Sequence, residues 1–92
     1  VAKELISVRP DDAAALNIKA AAEMGRGDYD AAEKTLDSAI RTNPRKYHAY
    51  YNMAKMILRK RGAEGRDAAR RYYSTGRTFG GKEDSFLEKE LK

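Results

Sequence analysis

The chain offers few parts for covalent chemistry: one histidine, His48, and no cysteine. A nucleophile activated by a neighbouring base needs a Ser or Cys set beside a His, and neither a Gly-x-Ser-x-Gly turn nor a Cys–His pair is present. A complete phosphate-cradling Gly-x-x-x-x-Gly-Lys-Ser/Thr loop and the zinc-holding His-Glu-x-x-His pattern are missing as well. Asp28 and Asp30 flank Tyr29 in the manner of a carboxylate pair about a reacting group. Both fall at a helix start, however, where a carboxylate caps free backbone N–H groups, and capping is the reading taken. Arg26-Gly27-Asp28 spells a tripeptide read by some adhesion receptors, but Gly27 and Asp28 suit the turn before that helix. Arg70-Arg71-Tyr72-Tyr73 could stack on nucleic-acid bases, although helical spacing places Tyr73 among packing residues. No enzyme and no cofactor are expected from these residues; recognition is the chemistry left.

Positioning falls to helices with small faces. Of 92 residues, 41% are hydrophobic, but fifteen of those are Ala and only twelve are Val, Leu or Ile. A chain of this size gains stability from so little bulk only by bringing backbones close together, which favours helix on helix. No apolar run approaches the roughly 20 residues of a bilayer span. Val1 in place of Met, with no charged-then-apolar leader after it, reads as a piece of a longer protein.

The formal net charge of +5 is unevenly spread. Residues 1–40 hold five Lys/Arg and eight Asp/Glu, residues 41–82 hold twelve and two, and residues 83–92 hold two and four. The central block therefore attracts anions, whether an acidic peptide, a phosphate backbone or an anionic membrane surface.

Self-similarity organises the rest. Pro10 and Pro44 are 34 residues apart, and the same shift superposes Ile6 on Ile40, Ala15 on Ala49, Leu16 on Tyr50, Ala20 on Ala54 and Met24 on Leu58. Each proline lies where a helix must stop. Between them, Ala13, Leu16, Ala20 and Met24 predict a helix over 12–25, with Asp11 and Asp12 at its first turn. Gly25 and Gly27 break it, and Asp28 caps a second helix with the stripe Ala32, Leu36, Ala39 and Ile40. A third helix is predicted over 45–61, a lengthened turn at Gly62–Gly65, and a fourth helix over 66–77 carrying Ala69, Tyr72, Tyr73 and Gly76. Gly80-Gly81 stops that one. Residues 82–92 read as a closing helix with Phe86, Leu87 and Leu91 inward.

These residues resemble the tetratricopeptide repeat family. Counting from Ala13, Leu16 takes the bulky fourth place and Ala20 the small eighth, with Gly27-Asp28-Tyr29 in the turn. Ala32, Leu36, Ala39 and Pro44 follow in register, while Lys19 and Glu23 depart from an apolar and an aromatic place. Counting from Tyr47 gives Tyr50, Met53, Ala54 and Ile57, then Ala69, Tyr73 and Gly76 past the turn, with Phe79 near the helix end. The resemblance implies an all-α fold of antiparallel helix-turn-helix hairpins stacked as a short right-handed solenoid. It also implies a single domain over 1–92: the end of a preceding repeat at 1–10, a full repeat at 11–44, a second at 45–81 and a closing helix at 82–92.

In such a stack the first helices line a concave surface on which a peptide lies. The resemblance assigns to that surface Ala14, Asn17, Ile18 and Ala21 from one helix and His48, Tyr51, Asn52, Lys55 and Arg59 from the next. The expected function is non-enzymatic protein–protein interaction with an acidic or amphipathic peptide, Asn52 orienting its backbone and Lys55 and Arg59 meeting its acids. Family members that clamp a C-terminal carboxylate use Lys and Asn where this chain has Asn17 and Ala21, so a chaperone-tail clamp is not expected. The alternatives are nucleic-acid binding through 41–82 and a purely structural segment of a larger repeat protein.

Overall fold

The computed structural model describes residues 13–91. Ile6 and Pro10 of the expected preceding repeat, the expected caps Asp11 and Asp12, and Lys92 lie outside the described residues. Among the described residues five α-helices follow one another: α1 (Ala13–Gly25), α2 (Tyr29–Thr42), α3 (Tyr47–Arg61), α4 (Arg66–Thr78) and α5 (Ser85–Leu91). A single 3-10 turn over Gly62–Gly65 joins α3 to α4. The fold is all-α, with no strand among the described residues.

Local chemistry sets the boundaries. Gly27 has a φ of +78°, a left-handed turn that a side chain would resist. The Asp28 carboxylate then accepts from the Ala31 N–H at 3.4 Å, capping α2 as expected. Beyond α2, the Lys46 N–H donates to the Asn43 carbonyl at 3.2 Å and the Arg45 N–H to Asn43 Oδ1 at 3.2 Å. This turn delays α3 to Tyr47, two residues later than the periodicity suggested. The Tyr50 hydroxyl donates to the Pro44 carbonyl at 2.6 Å and pins the turn to the helix it precedes. The closing helix also starts late, at Ser85 rather than Lys82, because residues 82–84 bond in non-helical form to α3 and α4. Asp84 Oδ1 caps it, accepting from the Leu87 N–H at 2.9 Å.

Short connections fold each helix back on its predecessor. The most extensive packing pairs α1 with α2 and α3 with α4; α2 and α3 join these pairs, α1 also touches α3, and α5 rests on α3 and α4. Ala20, Ala32, Ala39 and Ala54 are fully buried, so backbone meets backbone along these seams. Around them Leu36, Met53, Met56, Tyr73 and Leu87 fill the core. Leu16 and Leu58 are only half-buried.

Phe86 departs from expectation: it is 41% exposed, whereas Leu87 and Leu91 are buried. The leucines are four apart and share one helix face, and Phe86 is rotated about 100° from Leu87. Phe79 is 39% exposed yet stacks on the Tyr50 ring, their centroids 5.8 Å apart.

Candidate functional site

Helices α1 and α3 border an open groove of about 340 Å³ lined by Ala14, Asn17, Ile18, Ala21, Lys46, His48 and Asn52. Its floor is apolar because α1 reads AAALNIKAAAEMG, hydrophobic nearly all round, and packs only part of its circumference against α2 and α3. Ile18 is left 73% exposed, the most exposed large hydrophobic among the described residues. Ala14, Ile18 and Ala21 follow at helical spacing and form one strip.

Polar groups border the strip. Asn52 Nδ2 donates to Asn17 Oδ1 at 3.2 Å, and Asn17 Nδ2 to the Ala13 carbonyl at 3.1 Å, a chain that ties α3 to α1 and fixes both amides. His48 is exposed and stacks on Tyr47 with ring centroids 4.0 Å apart. Lys46, just ahead of α3, brings a cation to the rim. Sequence reasoning passed over Lys46, since it precedes the helix whose register was being counted.

Of the nine residues expected on that surface, Ala14, Asn17, Ile18, Ala21, His48 and Asn52 thus meet in one groove. Tyr51 and Lys55 do not line it. They face an adjoining recess, shared with His48 and Asn52 on one side and with Lys82, Glu83 and Asp84 on the other. Tyr51 is buried in the core cluster and its hydroxyl donates to the Lys82 carbonyl at 2.5 Å. Burial and, secondarily, the neighbouring Tyr73 raise its pKa above the ordinary phenol value. Lys55 Nζ sits 3.0 Å from an Asp84 carboxylate oxygen. Arg59 lies in the last turn of α3, exposed, and lines neither hollow.

The opposite side carries a mixed hollow lined by Tyr50, Met53, Met56, Ile57 and Tyr72, with Lys60 and Glu33 at its edge. Lys60 Nζ bridges Asp30 at 2.7 Å and Glu33 at 3.1 Å. The hydrogen bond from Lys60, then its charge, lowers the Asp30 pKa. Arg59, Arg61, Arg66 and Arg71 cluster in sequence about the 3-10 turn, exposed, and form no ion pair with an acid among the described residues.

Gly76 to Lys82 reproduces the glycine and lysine spacing of a phosphate loop, but Glu83 stands where Ser or Thr would bind metal. Gly76 is moreover inside α4, where an added Cβ would lie 2.6 Å from the Tyr51 ring; it serves packing. No group of three or more metal-ligating side chains exists among the described residues, and no helix there is long and apolar enough to cross a membrane. No family model, curated protein or solved structure matches the chain.

Proposed function

We propose that the chain is a non-enzymatic protein-interaction module of tetratricopeptide-repeat type, its helix pairs stacked as a short right-handed solenoid. The α1/α3 groove receives a peptide that combines an apolar side chain with acidic residues. The observation that carries this reading is the open apolar strip of Ala14, Ile18 and Ala21 set between a tethered amide pair and a lysine. An apolar anchor would cover Ile18, whose exposure costs the free protein buried area. The fixed Asn52 amide would meet the ligand backbone, and Lys46 would meet its acid.

The test uses fluorescence anisotropy with acidic, Leu-containing peptides selected from a display library against the whole chain. Ile18→Glu lies on the surface and should change stability by less than about 0.5 kcal/mol while weakening the selected peptides at least about tenfold. Equal affinity in wild type and variant would refute the groove.

A second reading draws on the unpaired arginines about the 3-10 turn, which suit phosphate recognition. Binding of a nucleic acid there would weaken linearly in log Kd against log salt, steeply for several phosphates, whereas the groove would respond weakly.

A further inference from the structure

After α4 the chain crosses Gly80-Gly81 and lays Lys82, Glu83 and Asp84 against α3 and α4 before coiling into α5. The contacts have the character of peptide recognition. The Tyr51 hydroxyl donates to the Lys82 carbonyl at 2.5 Å, and the Tyr73 hydroxyl accepts the Asp84 N–H at 3.0 Å, so two phenols read one acceptor and one donor of the main chain. Tyr73 also donates to a Glu88 carboxylate oxygen at 2.5 Å. Cations meet the acids: Lys55 is 3.0 Å from Asp84, and Arg77 lies 3.8 Å from Glu83 and 3.7 Å from Glu88. Arg70 closes the far end with two bonds to the Leu91 carbonyl, at 3.1 and 2.7 Å. Leu87 and Leu91, four apart, are buried beneath.

We propose that this face of α3 and α4 is a peptide-binding site distinct from the α1/α3 groove, with residues 82–91 as its displaceable resident occupant. The ligand class is a segment of another polypeptide with an acidic pair at a helix start and two leucines four residues apart. Charge complementarity specifies that class. The block over 41–82 holds twelve Lys/Arg against two Asp/Glu, whereas 83–92 holds four acids against two Lys. The site draws on this asymmetry at Lys55, Arg70 and Arg77. A tether of a few residues keeps the resident segment at an effective concentration on the order of millimolar, so an external segment competes well only when the internal contacts are weakened. Its departure would free Tyr51 and Lys55, which it now covers, on the side where they adjoin His48 and Asn52.

The probe is a fluorescently labelled synthetic peptide of residues 82–91, titrated into the whole chain as wild type, Asp84→Asn and Asp84→Asn/Lys55→Ala. Asn still caps the Leu87 N–H, so α5 stays formed while the charge facing Lys55 is removed. Asp84→Asn should bind the peptide about three- to fivefold more tightly than wild type, the reach of one partly exposed ion pair. Adding Lys55→Ala should cancel that gain, because the peptide's own aspartate then loses its partner. Equal affinity for all three chains overturns the proposal. A second measurement needs no variant: in wild type, amide hydrogen exchange over Leu87–Leu91 should be at least tenfold faster than in the middle of α3. Equal protection of the two helices would show that the segment opens only with the whole fold, and would also overturn the proposal.

Discussion

A methyl group added at Gly76 would lie 2.6 Å from the Tyr51 ring and 3.3 Å from the Tyr50 Cβ, with no open space to enter. Alanine would gain about 1 kcal/mol of helix propensity in α4. Overpacking a filled seam costs about 1–3 kcal/mol, so the loss outweighs the gain. Gly76→Ala should therefore lower the melting temperature by several degrees, measured by circular dichroism, rather than raise it as a bare propensity argument requires. Glu23 runs the other way. It is buried, and its Oε1 has no hydrogen-bond partner among the described residues. An unsatisfied buried polar atom costs about 1–3 kcal/mol, so Glu23→Met, which keeps the length of the side chain, should raise the melting temperature. A fall would show that the carboxylate has a partner. In the expected register Glu23 stood out as an acid at an aromatic place, and Gly76 took its place after Ala69 and Tyr73. The reason for the glycine was not visible, because a register gives the face on which Tyr51 lies and not the ring's distance from the next helix.

Among the elements, α5 is the one held most by polar contacts. Burial pushes the Asp84 carboxyl up, but the Leu87 N–H, Lys55 and the Phe86 N–H together outweigh burial and hold it below its ordinary value. A depressed carboxyl contributes its full stability above the ordinary carboxylate range and loses it as pH falls through the lowered value. Burial, then the hydrogen bond to Glu88, raises the Tyr73 pKa. Its contribution is complete below the ordinary phenol value and is lost as pH rises past it. Protection of α5 amides should thus be flat through neutral pH, falling below about pH 4 and again above about pH 10. Flat protection of α5 through pH 3, with α3 intact, would remove Asp84 from the account of how α5 is held. Helical periodicity located all five described helices and the fully buried Ala20, Ala32, Ala39 and Ala54. It misplaced the starts of α3 and α5 for one shared reason: both are delayed by backbone hydrogen bonds, an Asn43 turn in one case and tyrosine contacts in the other, which leave no trace in apolar spacing. It also turned Phe86 inward, since in a helix of seven residues a stripe of two leucines suffices.

At the scale of the molecule, an all-helical chain buries small residues along its seams and leaves one apolar strip open on α1. The cations of the +10 central block, visible in the sequence, serve different ends in the structure: Lys60 ties α3 to α2, Lys55, Arg70 and Arg77 hold α5, Arg41 pairs with Asp37, Lys46 borders the groove, and Arg59, Arg61, Arg66 and Arg71 face solvent. Composition could not make that division, because it depends on which acids reach which cations after folding. Six of the nine residues expected on that surface converge in the groove, while Tyr51 and Lys55 are withheld by the chain's own acidic segment. The most direct measurement is a backbone NMR titration of the whole chain with a selected acidic, Leu-containing peptide. Shifts concentrated on Ala14, Asn17, Ile18, Ala21, His48 and Asn52, and retained at 0.3 M salt to within about threefold in Kd, are the expected result for a groove with an apolar anchor. Shifts confined to the arginines about Gly62–Gly65 that vanish with salt, or none on α1, would contradict it.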